Sequence, residues 1–407
     1  MTPPRLRRCE KEVLFISHDA SRTGAPLLLL YLLRWLRSNT DIPFSVVLRG
    51  RGELLSEFRR VARVFVIDEG FLRNSVRLAA ALLRRVGLAG LAGRLPELLL
   101  SVSLLPFAKW SYRRNHVGLI YSNTLVNGDL LQLLSGLQCP VITHAHELET
   151  SMRHFAPGKR FAPTLQLTTH FIAASCAVRS YLAQGCGIPD GRIEVAHSFI
   201  DAQEWIHAKV DSSRFRATLG VKDAEYVVGA VGTVDWRKGA DLFAQVARAT
   251  HLRRGQRDVH FVWIGSVTDE ARYQLTYDAR KLGVDGYVHF VGSREAPDLI
   301  AGVSAFDVLC LLSREEPLGM VLLEAACRDK PVLCFSDVGG AVEFVESDCG
   351  FVVPYLDSGA MAERIIQLLE STELRARLGT NGRRKVLERY DVDVVAPKIA
   401  STIRRFL

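Results

Sequence analysis

Short apolar runs alternate along the chain with longer segments whose apolar residues recur every three or four positions. This alternation is typical of parallel sheets whose strands are joined by crossover helices. In the first half, the pattern predicts strands at 13–17, 44–48, 64–67, 118–122, 141–145, 171–175 and 193–198. The rhythm begins again with strands at 227–232, 259–265, 288–292, 306–313, 331–336 and 350–354. We therefore expect an α/β protein with two doubly wound domains.

The domain junction is predicted where the strand pattern stops. Residues 201–223 mix charged and small residues and contain no apolar run. We expect an N-terminal domain over 1–203, a C-terminal domain over 204–390, and a helix over 391–407 that packs back on the N-terminal domain. Because ligands of such sheets bind at the carboxyl ends of strands, the loops after strands are the places to look for chemistry.

The composition agrees with two globular domains and locates the charge of the chain. The chain has 407 residues, of which 48% are hydrophobic and 24% are charged. This composition is typical of globular proteins and excludes disordered and collagen-like chains. The net charge is +8, yet residues 71–115 alone hold eight basic residues against one acidic residue. The rest of the chain carries 44 basic and 43 acidic residues. The charge therefore belongs to one segment, predicted as a long helical insertion between the third and fourth strands.

This basic segment has two interpretations. Arginines on leucine-rich helices suit the surface of an anionic membrane. They equally suit a helical cap whose leucines pack on the sheet while the arginines face water. Nucleic acid is not expected as a partner, because aromatic residues do not interleave the arginines. The N-terminus has no apolar signal region, so a cytoplasmic protein is predicted, with contact to the inner face of a membrane left open.

No metal site is predicted. The eight cysteines form no C-x-x-C pair, and several lie in apolar runs, which indicates buried free thiols. His144 and His146 share one side of a strand, but no third ligand follows in register. Asp391 and Asp393 have metal-ligand spacing, yet they begin a helix, which favours a capping role.

Three loops carry candidate chemistry, and the first follows the first strand. Gly24 opens the first helix and would let a phosphate approach the backbone. The loop is not G-x-G-x-x-G, so a nicotinamide-dependent dehydrogenase is disfavoured.

The second loop, Gly232 to Gly239, places Arg237 and Lys238 where a helix begins. Two cations beside the positive end of a helix are unfavourable for folding but suit a diphosphate.

The third loop runs from Ser313 into the next helix, with Pro317 expected at the first helical position. Glu316 and Glu324 would then share one helix face, roughly 12 Å apart along the axis. Backbone N–H groups near Gly319 and Met320 would point toward an anion.

Together these motifs resemble the retaining glycosyltransferases of family 4, with the GT-B fold of two facing Rossmann-like domains and an interdomain cleft. The spacing of the family's Gly-Arg-Leu-x-x-x-Lys-Gly motif matches from Gly232 to Lys238-Gly239, and the family's two glutamates match Glu316 and Glu324. The likeness extends through Phe290–Gly292, Pro331, Gly339-Gly340-x-x-Glu343 and Gly350, and more loosely through Gly24, His146-Glu147, Ser175 and Ser198–Asp201.

The resemblance implies transfer of a sugar from a nucleoside-diphosphate sugar to an acceptor hydroxyl of a glycan, a lipid-linked molecule or a small molecule, without a cofactor or metal. The implied catalytic residues are Glu316, His146 and Lys238. The implied donor-binding residues are Gly24, Arg237, Lys238, Gly319, Met320 and Glu324. Polar residues at the ends of the fourth and fifth strands, Asn123, Thr124 and His144, are expected to bind the acceptor.

Three positions in two loops depart from the family pattern. Thr233 stands where arginine is usual, and Arg237 is the candidate to supply the missing cation. His197 and Ser198 replace the usual Asn-Gly. The first departure leaves open a catalytically silent protein that binds nucleotide sugars or serves as a scaffold on the same fold.

Overall fold

The computed structural model describes residues 11–67, 117–155 and 161–407. The predicted insertion at 71–115 lies outside these ranges. The chain divides into two compact units. The first comprises the chain up to residue 174, with 179–196 and 396–407, and the second comprises 175–178 and 197–395.

The first unit contains a seven-stranded sheet in which every paired strand is parallel. Its strands are β1 Glu12–Ser17, β2 Phe44–Leu48, β3 Arg63–Val66, β4 Val117–Ser122, β5 Val141–Ala145, β6 His170–Ala173 and β7 Ile193–Val195. Their order is β3-β2-β1-β4-β5-β6-β7, so the direction of winding reverses between β1 and β4.

The second unit repeats this plan with six parallel strands. They are β8 Tyr226–Val231, β9 Val259–Ile264, β10 Val288–Gly292, β11 Val308–Leu311, β12 Val332–Phe335 and β13 Gly350–Val353. The order is β10-β9-β8-β11-β12-β13, with the reversal between β8 and β11. The predicted α/β fold with two doubly wound sheets is confirmed.

Helices connect the strands in both units. In the described part of the first half they are α1 Gly24–Asn39, α2 Leu55–Val61, α3 Gly128–Leu134, α4 Glu149–Phe155, α5 Phe161–Leu167 and α6 Cys176–Ser180. After β7 come α7 Ala202–Ile206, α8 Ser212–Thr218, α9 Ala240–Arg254, α10 Asp269–Lys281 and α11 Asp298–Ala305. The remaining helices are α12 Met320–Cys327, α13 Ala341–Val345, α14 Ser358–Glu370, α15 Thr372–Lys385 and α16 Val392–Phe406.

The apolar runs are buried because the strands are covered on both faces. Residues Val13 to Ile16 of β1 and Val332 to Phe335 of β12 are completely inaccessible to solvent. Such continuous burial is what parallel sheets between helix layers require. The predicted strands 193–198 and 306–313 end earlier, at Val195 and Leu311, because the residues that follow enter loops.

The last helix begins as its capping residue predicts. Asp391 accepts a hydrogen bond from the backbone N–H of Asp393 at 2.8 Å, and its other oxygen accepts one from Ala202 at 3.2 Å. Within the described ranges, no helix is both long enough and apolar enough to cross a membrane.

Candidate active site

The candidate residues of the second unit lie where its sheet changes winding direction. The loop at 232–239 follows β8, and the loop at 312–319 follows the neighbouring strand β11. In open parallel sheets this point leaves a crevice at the carboxyl ends of the two strands. The second and third sequence motifs therefore meet there.

Glycines bring the two loops into contact. Gly239 has a φ of +75°, and a Cβ there would lie 2.0 Å from the carbonyl oxygen of Leu312. Any other residue would be strained and would push the loops apart. Asp235 fixes the preceding turn, because its carboxylate accepts a hydrogen bond of 2.7 Å from the backbone N–H of Lys238. The Lys238 side chain is thereby aimed across the crevice.

Arg314 joins the two loops a second time. Its guanidinium pairs with both carboxylate oxygens of Asp241, at 2.8 and 2.7 Å, and donates to the carbonyl of Trp236 at 2.6 Å. It also lies over the Trp236 ring, 4.8 Å from the centroid. A bidentate pair combined with a cation–π contact orients this arginine firmly. Its contacts set the position of the segment that carries Arg237 and Lys238.

The two cations converge on Glu316. The Lys238 ammonium forms a salt bridge with Oε2 of Glu316, and Arg237 Nη1 lies 4.0 Å from the same oxygen. The hydroxyl of Ser313 donates to this oxygen at 3.1 Å. Glu316 is only 5% exposed, and burial alone would raise its pKa, but the charges of Lys238 and Arg237 outweigh burial and lower the pKa. A charged carboxylate with two adjacent cations results.

The backbone around Glu316 is extended, so one sequence prediction is wrong. Helix α12 begins at Met320, which places both Pro317 and Glu316 outside it. Glu316 instead bridges to the segment before α13: its N–H donates to Val338 at 2.6 Å, and its carbonyl accepts from Gly340 at 2.9 Å. Glu316 and Glu324 therefore do not share a helix face.

Gly319 explains why the helix starts late. It precedes α12 with a φ of +87°, a conformation that favours glycine and interrupts a helix. A Cβ at this position would lie 3.1 Å from Cγ of Glu316. Met320 follows as the first residue of the helix, so the first-turn N–H groups lie close in sequence to the buried carboxylate.

Glu324 lies inside α12 and has unusual electrostatics. It is 7% exposed, and burial raises its pKa to about 7, with repulsion from Glu204 adding to the shift and Lys238 opposing it. Near neutral pH this carboxyl group is therefore partly protonated. Glu204, on α7, is a contributor that sequence reasoning missed, since nothing in its spacing relates it to Glu324.

Thr233 and Arg237 occupy different parts of the β8 loop. Thr233, which replaces the family's arginine, accepts a hydrogen bond of 3.5 Å from Ser266 in the loop after β9. Arg237 donates to the carbonyl of Glu315 at 2.9 Å in addition to approaching Glu316. A cation is therefore present at the carboxylate although position 233 carries none.

The candidate residues of the first unit form a hydrogen-bonded network at the ends of β1, β4 and β5. The side-chain amide of Asn123 donates to the carbonyl of Ala25 at 2.7 Å, and its oxygen lies 3.3 Å from Nε2 of His146. Thr124 donates to Glu147, whose second oxygen accepts from the N–H of His146 at 2.9 Å. These contacts hold His146 beside the start of α1, where Gly24 is the first helical residue.

His144 lies behind this network. It is fully buried, and its Nδ1 is 2.8 Å from the hydroxyl of Tyr121. Its ring centroid is 4.1 Å from that of His146, as expected for residues on one side of a strand. Asn123 is buried completely and Thr124 almost so. In this structure these three side chains support His146 and present no surface of their own to a ligand.

The histidines of this network are uncharged at neutral pH. Burial lowers the pKa of His146 to about 3, and the nearby His18 adds to the effect. Burial also lowers the pKa of His18, although Asp19 opposes the shift. His18 was missed by sequence reasoning despite its place directly after β1. Its position could have been noticed, because it is a polar residue at the carboxyl end of a strand beside the winding reversal.

Comparisons with known proteins agree with this arrangement. Residues 211–385 match the family of glycosyl transferases group 1. A GDP-mannose-dependent phosphatidylinositol monomannoside mannosyltransferase of Corynebacterium glutamicum is 26% identical over 280 residues, which cover 64% of this chain and 68% of the relative. The matched segment, less than half of the chain, is thus a domain similar to the glycosyl transferases of group 1. A D-inositol 3-phosphate glycosyltransferase of Salinispora arenicola is 31% identical over 204 residues, 47% of this chain and 45% of that protein.

Solved structures share the fold of this chain along nearly its whole length. Anabaena HepE, crystallised with UDP and glucose, has a TM-score of 0.76 at 23% identity and covers 97% of this chain and 100% of its own. The sucrose-phosphate synthase of Thermosynechococcus elongatus has a TM-score of 0.73 at 18% identity, with 97% and 99% covered. The chain spans less than half the length of the D-inositol 3-phosphate glycosyltransferase that it matches.

Proposed function

We propose that this glycosyltransferase moves a sugar, with retention of anomeric configuration, from a nucleoside-diphosphate sugar to an acceptor hydroxyl. The observation that carries the proposal is the convergence of Lys238 and Arg237 on the buried Glu316 at the winding reversal of the second sheet. The single carboxylate of Glu316 offsets only one of these two positive charges, so the crevice keeps an excess of positive charge. Their arrangement is useful when a polyanion binds beside them.

The reaction breaks the bond between the anomeric carbon and the diphosphate and forms one to the acceptor oxygen, while the proton of the acceptor hydroxyl passes to an oxygen of the departing diphosphate. Negative charge grows on the departing diphosphate. Lys238 and Arg237 are fixed by their loop contacts before the reaction, so they stabilise this charge at little reorganisation cost. The N–H groups at Gly319 and Met320 are positioned to add to the same effect. No metal is needed for this role.

Glu316 and Glu324 are proposed to hold the non-phosphate parts of the donor. Glu316 carries an ionised carboxylate, which accepts hydrogen bonds from sugar hydroxyls. Glu324 is proposed to bind the ribose hydroxyls. His146 is proposed to contact the donor sugar as a neutral ring, and Gly24 to approach the donor through its backbone.

The base and the sugar are left open within this proposal. The names of related proteins include GDP-mannose for one and UDP with glucose for another. A thermal-shift screen of nucleoside diphosphates against the full-length chain identifies the base, and a panel of the corresponding sugars identifies the donor.

Substitution tests the site directly. Lys238→Ala and Glu316→Ala are each expected to lower transfer by about a hundredfold to a thousandfold, the range seen when one group that stabilises developing charge is removed. Lys281→Ala, on the exposed side of α10, is the matched control and should retain wild-type activity. Wild-type activity in either site variant would refute the assignment. Tight donor binding by the wild type without transfer or hydrolysis would instead support a silent scaffold.

We further propose that the acceptor is presented at a membrane surface. The proposal is supported by the charge of residues 71–115 and by the lipid acceptor in the name of the Corynebacterium relative. Flotation with vesicles of anionic lipid at low salt is expected to carry the protein, and high salt should release it, because charge attraction is screened. Failure of the wild type to float at low salt would overturn this part.

A further inference from the structure

Three side chains of metal-ligand type, none of them assigned a role in the proposed transfer, meet in the second unit. Cys176 begins α6, His197 lies between β7 and α7, and Glu343 lies in α13. The cysteine sulfur, a histidine ring nitrogen and a carboxylate oxygen all lie within 4.8 Å of one another. Glu343 is 146 residues from His197 and 167 from Cys176, so no spacing motif reveals the group.

Glycine at position 340 allows this meeting. A Cβ on Gly340 would lie 1.9 Å from the carbonyl oxygen of Pro317 and 2.7 Å from Cβ of Ser175. Contacts this short do not occur in folded proteins, so another residue would force the segment at 175–178 away from the start of α13. The close approach places Glu343 one helical turn from the contact and directly against the first residues of α6.

The ligand atoms are already held in position by their neighbours. The two carboxylate oxygens of Glu343 accept hydrogen bonds from the backbone N–H groups of Cys176 at 2.9 Å and Ala177 at 2.7 Å. The His197 ring packs edge-on against Tyr390, with centroids 5.3 Å apart. Second contacts of this kind orient metal ligands and keep the cost of assembling a site low.

The separations fit tetrahedral zinc. With Zn–N and Zn–O bonds of about 2.1 Å, tetrahedral angles place the two ligand atoms about 3.4 Å apart. Nε2 of His197 and Oε2 of Glu343 are 3.3 Å apart. The sulfur of a thiolate ligand would lie about 3.6 Å from each. The sulfur of Cys176 lies within 4.8 Å of both atoms, and this side chain is exposed.

We propose that Cys176, His197 and Glu343 bind one zinc ion, with water as the fourth ligand. A thiolate, an imidazole and a carboxylate are the ligands zinc accepts, whereas magnesium and calcium prefer oxygen alone. The thiolate and carboxylate also balance the two positive charges of the ion. The proposal departs from the expectation, drawn from cysteine spacing, that this chain has no metal site.

The site adjoins the loop of Glu316 through the backbone. The N–H of Gly340 donates to the carbonyl of Glu316, and Gly340 precedes α13, which carries Glu343. Zinc would therefore stabilise the segment that keeps Glu316 extended. This role is structural, so zinc binding does not depend on the proposed transfer reaction.

The test is a zinc titration of the full-length, chelator-stripped protein against a competing chromophoric chelator. The wild type is expected to bind one equivalent, and cobalt(II) in its place should show a thiolate-to-metal charge-transfer band. Cys176→Ser and His197→Gln are expected to weaken binding by about 100-fold or more, since even outer contacts of a metal site cost 10- to 100-fold. Cys186→Ser, at a partly exposed cysteine outside the group, is the matched control.

Three results would overturn the proposal: no stoichiometric binding by the wild type, a cobalt spectrum without the thiolate band, or equal zinc affinity in the wild type and Cys176→Ser. Each would leave the three side chains as a hydrogen-bonded cluster only. Melting temperatures of all variants in excess chelator verify that the fold is intact. Nucleoside-diphosphate binding, measured in parallel, reports on the transfer site separately.

Discussion

The buried carboxyl of Glu324 should make the stability of the second unit depend on pH. Its pKa is raised from 4.5 to about 7 in the folded protein, so between these values the folded state binds a proton that the unfolded state releases. Stability from this group is therefore fully present below pH 4.5 and is lost as pH rises to about 7. With 1.36 kcal/mol for each pKa unit, the loss amounts to about 3 kcal/mol.

Glu324→Gln removes the titration and keeps the shape of the side chain. The free energy of unfolding of the variant minus that of the wild type is expected to rise by about 2.5 kcal/mol from pH 5 to pH 8. Urea unfolding followed by tryptophan fluorescence measures the difference at each pH, with Trp263 buried in the same unit as the reporter. Glu363→Gln, on the exposed side of α14, is the control and should show no trend. If the free energies of unfolding of the wild type and Glu324→Gln change in parallel with pH, the pKa of Glu324 is not raised in the folded protein.

Three further predictions follow from the geometry of the two units. Gly239→Ala should lower the free energy of unfolding, measured by thermal melts, by about 2 kcal/mol or more, because φ is positive there and a Cβ would meet a backbone oxygen. Gly286→Ala is the control: the space around Gly286 is open, so its melting temperature should stay close to that of the wild type. Arg314→Ala should weaken nucleoside-diphosphate binding about tenfold, measured by calorimetry, because the β8 loop loses its anchor; wild-type affinity would count against that role. The pH dependence of the transfer rate between pH 5 and 8 should have the same shape in the wild type and in His146→Asn, because the pKa of His146 is about 3. An inflection present in the wild type and missing in the variant would mean that this histidine titrates during the reaction.

The sequence was sufficient to predict most of the fold. Each run of β-branched and aromatic residues became a strand within the described ranges, because an apolar segment between two polar loops has few ways to be buried other than in a covered parallel sheet. The strand-loop-helix position of Gly232 to Lys238 also followed from the pattern. The helix expected from Pro317 was misplaced, since local preference favoured proline at a helix start while Gly319 and the contacts of Glu316 keep that segment extended.

The candidate site could be predicted only as far as its motifs are contiguous. Lys238 and Glu316 were singled out separately, but their salt bridge depends on β8 and β11 being neighbours in the sheet. Arg314, Glu204 and His18 were missed because their partners are distant in sequence. His144 was expected at a ligand, whereas its burial beside Tyr121 depends on how β4 and β5 pack.

Hydrophobic pattern and motif spacing were enough to predict which segments are strands, that two similar sheets follow one another, and which loops carry glycines, cations and carboxylates. Hydrophobic period and backbone freedom are local properties, and each can be deduced from a few neighbouring residues. The folded chain was needed to see which loops adjoin. The low pKa of Glu316, the high pKa of Glu324 and the meeting of Cys176 with His197 and Glu343 all follow from those contacts. Charge interactions and ligand geometry depend on distances through space, and these are fixed only when the strand order brings remote segments together.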